Sequence, residues 1–278
     1  MSGIHDKVIL VTGATDGLGR MVATRLAAQG ATVLLHGRDP AKGAAVMKEI
    51  KAATGSNKLR YYNADFAALA EVRQLAREVR ARESQLDVLV NNAGIGPRSP
   101  GSPRQLSKDG HELLFAVNYL AGYLLTRELL PLLLASAPAR IVSVASIGQQ
   151  ELDFSNVMLA HDYDDARAYR QSKLAQIMFT FDLAEQLGGT GVTVNCLHPA
   201  TLMNTRMVHD SSYFPGVKST TEQGAAALEN LITASALATC TGEYFDGMQK
   251  ARAKDQAYEP EARKQLRELS EQLVATSP

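Results

Sequence analysis

The sequence predicts an α/β fold, a doubly wound parallel sheet with helices on both faces. Three observations point to it. Short, nearly continuous Val/Ile/Leu runs recur along the chain, as in strands covered on both faces. Longer segments of helical periodicity lie between them, and strand–helix alternation implies a parallel sheet. The first run ends in a glycine-rich turn that leads straight into a helix.

In order, strands are expected at residues 7–12, 32–36, 59–63, 86–91, 140–144 and 192–197, with a last strand at 243–245 closing the sheet edge. Helices are expected at 18–29, 41–53, 69–82, 113–134 and 166–187. A tail helix at 261–274 places Leu266, Leu269 and Leu273 on one face, which would dock it on the body. The Pro/Gly/Ser stretch 96–103 is the most linker-like piece, yet the alternation continues past it, so it reads as a loop. No repeat, low-complexity tract or charge block marks a boundary, and residues 1–278 read as a single domain.

Composition narrows the function classes. A chain of 278 residues, 45% hydrophobic, can fill a large core. Lys+Arg and Asp+Glu both number 29, a balance that argues against a nucleic-acid partner. Two lone cysteines, Cys196 and Cys240, make neither a disulfide framework nor a zinc site, and a reducing cytoplasm fits them best. The start lacks the basic and long apolar regions of a signal peptide, and apolar stretches such as 129–135 are too short to span a bilayer. The expectation is a soluble cytoplasmic protein without a bound metal.

The first strand ends in Thr12-Gly13-Ala14-Thr15-Asp16-Gly17-Leu18-Gly19 and a helix follows. Glycines there permit positive φ and let the backbone approach a pyrophosphate, while the helix N-terminus supplies free N–H groups and partial positive charge. Glycines alone also make a plain tight strand-to-helix turn, but their place after the N-terminal strand favours a Rossmann-type dinucleotide site. The second strand ends in Gly37-Arg38 without an acid for a ribose 2′-hydroxyl, and the Arg38 guanidinium suits a 2′-phosphate. NADP is therefore favoured, with NAD as the alternative; Asp39 and Asp16 add negative charge nearby, and Arg38 also reads as a solvated surface residue. Asp65, followed by Phe66 after the third strand, either accepts from an adenine amino group or caps the next helix.

Tyr169 and Lys173 stand four apart on a helix, hence on one face. A phenol titrates near 10 when unperturbed, and a neighbouring ammonium lowers that value. The pair can pass a proton to or from a carbonyl oxygen. Ser146, at the carboxyl end of the fifth strand, could hydrogen-bond the same oxygen. Asn92, Ala93 and Gly94 end the fourth strand, and Asn118 is an amide inside a very apolar helix, where it is either functional or a helix-bending structural group.

The ordered set TGATDGLG (12–19), NADFA (63–67), NNAG (91–94), Asn118, SVAS (143–146), YRQSK (169–173) and LHPATLMNT (197–205) resembles the short-chain dehydrogenase/reductase family, single-domain branch. The resemblance runs from Lys7 to about Phe245. It implies a hydride-transferring oxidoreductase acting on a small-molecule carbonyl or alcohol. In it Tyr169 is the acid/base, Lys173 lowers its pKa and holds the ribose, and Ser146 orients the substrate. Asn118 holds a water that links Lys173 to solvent. Asp65 and Asn92 become adenine- and ribose-side contacts, and Pro199 and Thr205 match the segment that binds the nicotinamide carboxamide.

Two departures stand out: Pro199-Ala200 replaces the family's Pro-Gly, with a segment one residue longer before Thr205, and Ala145-Ser146 replaces its Ser-Ser pair. The insertion between Ser146 and Tyr169, together with residues 109–131, resembles the retinol-dehydrogenase-like subgroup. That resemblance does not extend to retinoid specificity. The segment 203–216 matches the family's substrate lid, and its Met207, Val208, Tyr213 and Phe214 suggest an apolar substrate. The insertion 149–165 carries Glu151, Asp153, Asp162, Asp164 and Asp165 without Lys or Arg; it disfavours large anions if it faces the pocket and is otherwise a solvated loop. The apolar surplus of 113–134 and 166–187 suggests a homodimer or homotetramer. A cofactor-binding regulatory or scaffold protein is the competing class, but such proteins usually lose part of the Asn118–Ser146–Tyr169–Lys173 set. A lyase or epimerase of the superfamily would carry a longer C-terminal domain and a differently spaced glycine motif.

Overall fold

The computed structural model describes residues 4–276. One eight-stranded sheet forms its centre, in the order β3-β2-β1-β4-β5-β6-β7-β8. Its strands are β1 (Val8–Val11), β2 (Thr32–Gly37), β3 (Leu59–Asn63), β4 (Val88–Asn91), β5 (Ala139–Val144), β6 (Val192–His198), β7 (Glu243–Asp246) and β8 (Gln249–Lys250). All neighbours pair in parallel except β7 and β8. The edge is therefore closed by β8, not by the expected strand at 243–245.

The helices are α1 (Gly17–Ala28), α2 (Pro40–Thr54), α3 (Leu69–Arg82), α4 (Leu113–Phe115), α5 (Ala121–Ala135), α6 (Asp165–Gln186), α7 (Arg206–His209), α8 (Thr221–Thr233) and α9 (Pro260–Ala275). Side chains alternate across each strand, which sorts the core into two layers. Ile9, Val11, Val33 and Leu35 join Leu18, Val22 and Leu26 of α1 and Leu228 and Leu231 of α8. Leu10, Leu34 and Leu89 join Leu75 of α3, Leu125 of α5 and Leu174 and Ile177 of α6. The chain crosses between the layers after β3, so the sheet order reverses at β1 and β4, where open α/β sheets form their ligand crevice.

The expected helix 113–134 is not regular. A π-helical turn, Ala116–Leu120, separates α4 from α5, and such turns recur at functional sites. Taken together, Leu113–Ala135 is long and apolar enough to cross a membrane, a length the shorter run 129–135 concealed; yet 67% of its apolar window is buried inside the fold, as in a core helix. The tail helix docks as expected. Leu266 is buried, Ser270 Oγ and Tyr119 Oη lie 2.7 Å apart, and Arg263 and Arg267 pair with Glu185 and Asp182 of α6. The outer face of α6 is thus filled by the chain's own C-terminus.

Candidate active site

The glycine turn lies at the β1/β4 reversal and is held by side chains on every side. Thr12 is fully buried: its Oγ1 donates to Val90 O (3.1 Å) and accepts from the Asn92 and Ala93 amides (both 2.9 Å). Asn92 Nδ2 donates to Thr12 O (2.7 Å) and Gly13 O (3.3 Å). Thr12 and Asn92, expected to touch a dinucleotide, have side chains committed to the turn itself. Gly13 and Gly17 have φ of +65° and +48°. A Cβ on Gly19 would sit 2.3 Å from Gly13 O, so only glycine lets α1 start so close to the turn. Leu18 is core. Asp16 caps α1 by accepting from Gly17 N (2.8 Å), and Arg206 stands 3.9 Å from it.

His36 was not foreseen in this role. Burial pushes its pKa down to about 4 and keeps it neutral. Nδ1 accepts from Gly13 N (3.3 Å), so Nε2 carries the proton toward Ala64 O (3.1 Å). Phe66 stacks on the imidazole at 4.3 Å, which turns its ring into the core. Asp65 accepts from Ala67 N (3.0 Å) and lies 3.8 Å from Lys108. It does not cap α3, whose Leu69 N is met by Asp109 Oδ2 (2.9 Å). Arg38, just past β2, is exposed and makes no ion pair among the described residues.

Beyond β4 and β5 the polar groups converge. Asn118 sits in the π turn; its Oδ1 accepts from Ile95 N (2.8 Å) and its Nδ2 donates to Ile95 O (3.1 Å) and Ser172 Oγ (3.0 Å). The amide therefore pins the loop after Gly94, with both Nδ2 protons and one Oδ1 lone pair engaged. An ideal Cβ on Gly94 would lie 3.1 Å from Asn118 Oδ1 and 3.7 Å from Lys173 Nζ, which places these three side by side.

Lys173 is buried; its Nζ donates to Val144 O (3.0 Å) and Gln176 Oε1 (2.9 Å) and lies 5.7 Å from the Tyr169 ring centroid. Burial pushes the Lys173 pKa down to about 7. Burial also raises the Tyr169 phenol, opposed by its hydrogen bond to Ser146. The expected lowering of Tyr169 by a permanent ammonium is thus replaced, among protein groups alone, by two buried groups that each favour the neutral form. Ser146 Oγ also accepts from Gly148 N (3.0 Å). The arrangement sets a hydroxyl against a phenol with a buried amine near its ring, which suits proton transfer to a carbonyl or from an alcohol.

Residues 7–214 match the family model described as short chain dehydrogenase. This chain belongs to the short-chain dehydrogenase family. Retinol dehydrogenase 13 of Mus musculus is 35% identical over 286 residues, covering 98% of this chain and 84% of that protein. A solved structure from Mycobacterium paratuberculosis superposes with a TM-score of 0.80 at 27% identity, covering 100% of this chain and 97% of that one. RhlG of Pseudomonas aeruginosa, solved as an NADP active-site complex, gives a TM-score of 0.72 at 27% identity over 88% of this chain and 97% of that one. The chain is a dehydrogenase of the retinol-dehydrogenase-like subgroup, an NAD(P)-dependent oxidoreductase.

The segment 203–216 of the dehydrogenase runs beside the glycine turn. Leu202 takes a left-handed φ of +50° where the sequence carries its extra residue. Thr205 then begins α7, and its Cγ2 would lie 3.3 Å from a Cβ on Gly17, so the segment reaches the glycine turn. Pro199 packs below it, 3.4 Å from where a Cβ on Gly224 of α8 would be. Ser212 N donates to Arg98 O (2.8 Å) and the Tyr213 hydroxyl to Asp164 Oδ2 (3.1 Å). The acids of the insertion are largely structural: Asp153 pairs with Arg167, Asp164 caps α6, and buried Asp165 pairs with Arg98. Tyr169 and Ile95 pack on Leu114, Leu159 and Ala168, an apolar wall beside the phenol. A cavity of about 440 Å³ lies against β7 and is lined in part by Ile147, Gln149 and Tyr244.

Proposed function

We propose that this dehydrogenase interconverts an apolar carbonyl compound and its alcohol, with NADP preferred over NAD and Tyr169 as the proton donor in reduction. The observation that carries the reading is the convergence of Ser146, Tyr169 and Lys173 at the carboxyl ends of β5 and β6, beside the glycine turn. The turn fits a dinucleotide: two positive-φ glycines, a Gly19 that no side chain can replace, and the N-terminus of α1. Bound there, the nicotinamide supplies or accepts the hydride. The amides of Leu18 and Gly19 at the start of α1 would meet the phosphates, with Gly13 and Gly17 shaping the turn; Asp65, Phe66, Asn92, Ala93 and Gly94 would border the adenosine and ribose, and Lys173, Pro199 and Thr205 the nicotinamide end. Arg38 is the free guanidinium for a 2′-phosphate.

In reduction Tyr169 gives its proton to the carbonyl oxygen while Ser146 donates a hydrogen bond to the same atom. Lys173 keeps the phenolate's charge partnered, and Asn118 fixes the loop against which Lys173 rests. The wall of Ile95, Leu114 and Leu159 and the lid's Met207 and Val208 support an apolar substrate, as does the name of the relative retinol dehydrogenase 13. Oxidation of NADPH and NADH is followed with straight-chain aldehydes, methyl ketones and retinal. Turnover confined to apolar carbonyls, with NADPH preferred, supports the reading; no turnover with any of them refutes it.

Cytoplasmic residence and self-association belong to the same proposal. Because α9 covers α6, pairing of copies would use the outer face of α5, where Leu134 is exposed. Sedimentation showing one-chain mass at micromolar concentration would remove the pairing.

A further inference from the structure

Ser146 lies past the end of β5, in irregular backbone that no ladder holds. What holds it is its carbonyl. Ser146 O accepts from Gln149 Nε2 (3.0 Å) and from the Tyr244 hydroxyl (3.2 Å). The other end of the Gln149 amide, Oε1, accepts from Lys254 N (2.9 Å), 105 positions further along the chain. Both ends of the amide are used, so its orientation is fixed by its partners. Two residues on, Gln256 repeats the pattern, accepting from Leu152 N (2.7 Å) and donating to Leu152 O (3.0 Å). The strap after β8, residues 251–256, irregular until it enters the 3₁₀ turn Asp255–Tyr258, is thereby sewn to the loop 146–152.

We propose that Gln149 is a positioning residue: it fixes the Ser146 carbonyl, and through it the hydroxyl that faces Tyr169, and ties that geometry to the strap. This rests on the catalytic reading of Ser146 given above. A hydroxyl has one donor and two acceptor sites. With Gly148 N already donating to Ser146 Oγ (3.0 Å), the direction of the remaining proton depends on how the 146–148 turn is held. A clamp on the carbonyl of the same residue sets that turn. The strap also walls the 440 Å³ cavity with Ile147 and Gln149, so whatever fills that space presses on the same clamp.

Q149E separates the two halves of the clamp: a carboxylate still accepts from Lys254 N but cannot donate to Ser146 O. NADPH-dependent reduction of the best aldehyde of the panel is measured for wild type, Q149E, S146A and the double variant. The expected result is a kcat about tenfold lower in Q149E, the loss of roughly one hydrogen bond's worth, with NADPH affinity unchanged. In the S146A background the same substitution should change kcat by less than about twofold, because coupled residues are non-additive. A tenfold loss in both backgrounds, or none in either, overturns the positioning role. If S146A itself turns over like wild type, the catalytic reading of Ser146 falls instead. A crystal structure of Q149L with NADP decides the matter independently of turnover: a Ser146 hydroxyl displaced from the Tyr169 hydroxyl supports the clamp, and an unmoved one overturns it.

Discussion

At the scale of single residues, the phenol and the amine carry separable predictions. Tyr169→Phe removes one hydroxyl and keeps the ring packed on Leu114 and Ala168. Turnover should fall about 10²–10⁴-fold, the usual worth of a positioned acid/base, while NADPH affinity by fluorescence titration stays unchanged. Reduction consumes the phenol's proton, so its rate should decline as pH rises through the Tyr169 pKa in the complex. Lys173 gives a test that needs no substrate. Burial depresses its folded pKa to about 7 from the ordinary lysine value of 10.5. Below pH 7 both folded and unfolded chains hold its proton, and burial of the charge is fully penalised. Between 7 and 10.5 the unfolded chain binds more protons, so raising pH favours the folded state. Melting temperature measured across that window should therefore rise more steeply in the wild type than in Lys173→Met. Parallel curves would show that Lys173 titrates normally. The family pattern marks Tyr169, Lys173 and Ser146, but the acceptor on Lys173, Gln176, depends on a helix turn being buried, which composition does not reveal.

At the scale of elements, legibility follows how local the determining physics is. The inner strands β1, β2, β4, β5 and β6 are legible because burial on both faces demands nearly continuous apolar runs, and α3 is legible with its observed bounds, Leu69–Arg82, because its face repeats regularly. The π turn is not: Ala116–Leu120 reads as ordinary apolar helix, and the amide of Asn118 is drawn by Ile95 and Ser172, groups from other elements. Helix α8, absent from the expected helices, carries a local signal, the capping box of Thr220 and Gln223 ahead of Ala225, Leu228 and Leu231. Strand β8 has two residues and no periodicity to read. The joint of turn and helix at Gly19 supplies the element-scale prediction. In Gly19→Ala the new Cβ meets Gly13 O at 2.3 Å and Asn92 Nδ2 at 2.5 Å, neither able to yield without breaking the Asn92–Thr12 bond. Denaturant unfolding should show a loss of about 1–3 kcal/mol, typical of overpacking, with cofactor affinity lost alongside. Unchanged binding would place the dinucleotide elsewhere. Leu266→Ala, at the α9 contact with α6, should cost about 2–5 kcal/mol without altering affinity.

At the scale of the whole molecule, the crevice joins the two halves of the sheet, and a ligand that bridges them stabilises the folded state by mass action. A cofactor at 100 times its Kd adds about 2.7 kcal/mol, and for a chain of this size each kcal/mol raises the melting temperature by roughly 2–4 °C. NADPH and NADH at equal concentration therefore rank their affinities as temperature shifts, with no substrate present. The proposed preference for NADPH rests on Arg38, which is exposed past β2 and makes no ion pair among the described residues. His36, behind the turn, is buried and neutral, so it adds no positive charge to compete with that assignment. A charge-assisted pair to a phosphate contributes on the order of 1.5–3 kcal/mol, enough to separate the two cofactors by at least tenfold. The wild-type shift should be larger with NADPH than with NADH by several degrees, and Arg38→Ala should bring the two together by lowering the NADPH shift alone. Equal shifts in the wild type would assign the site to either cofactor without preference. A lowered shift for both in Arg38→Ala would make Arg38 part of the turn's structure and leave the 2′-phosphate without its partner.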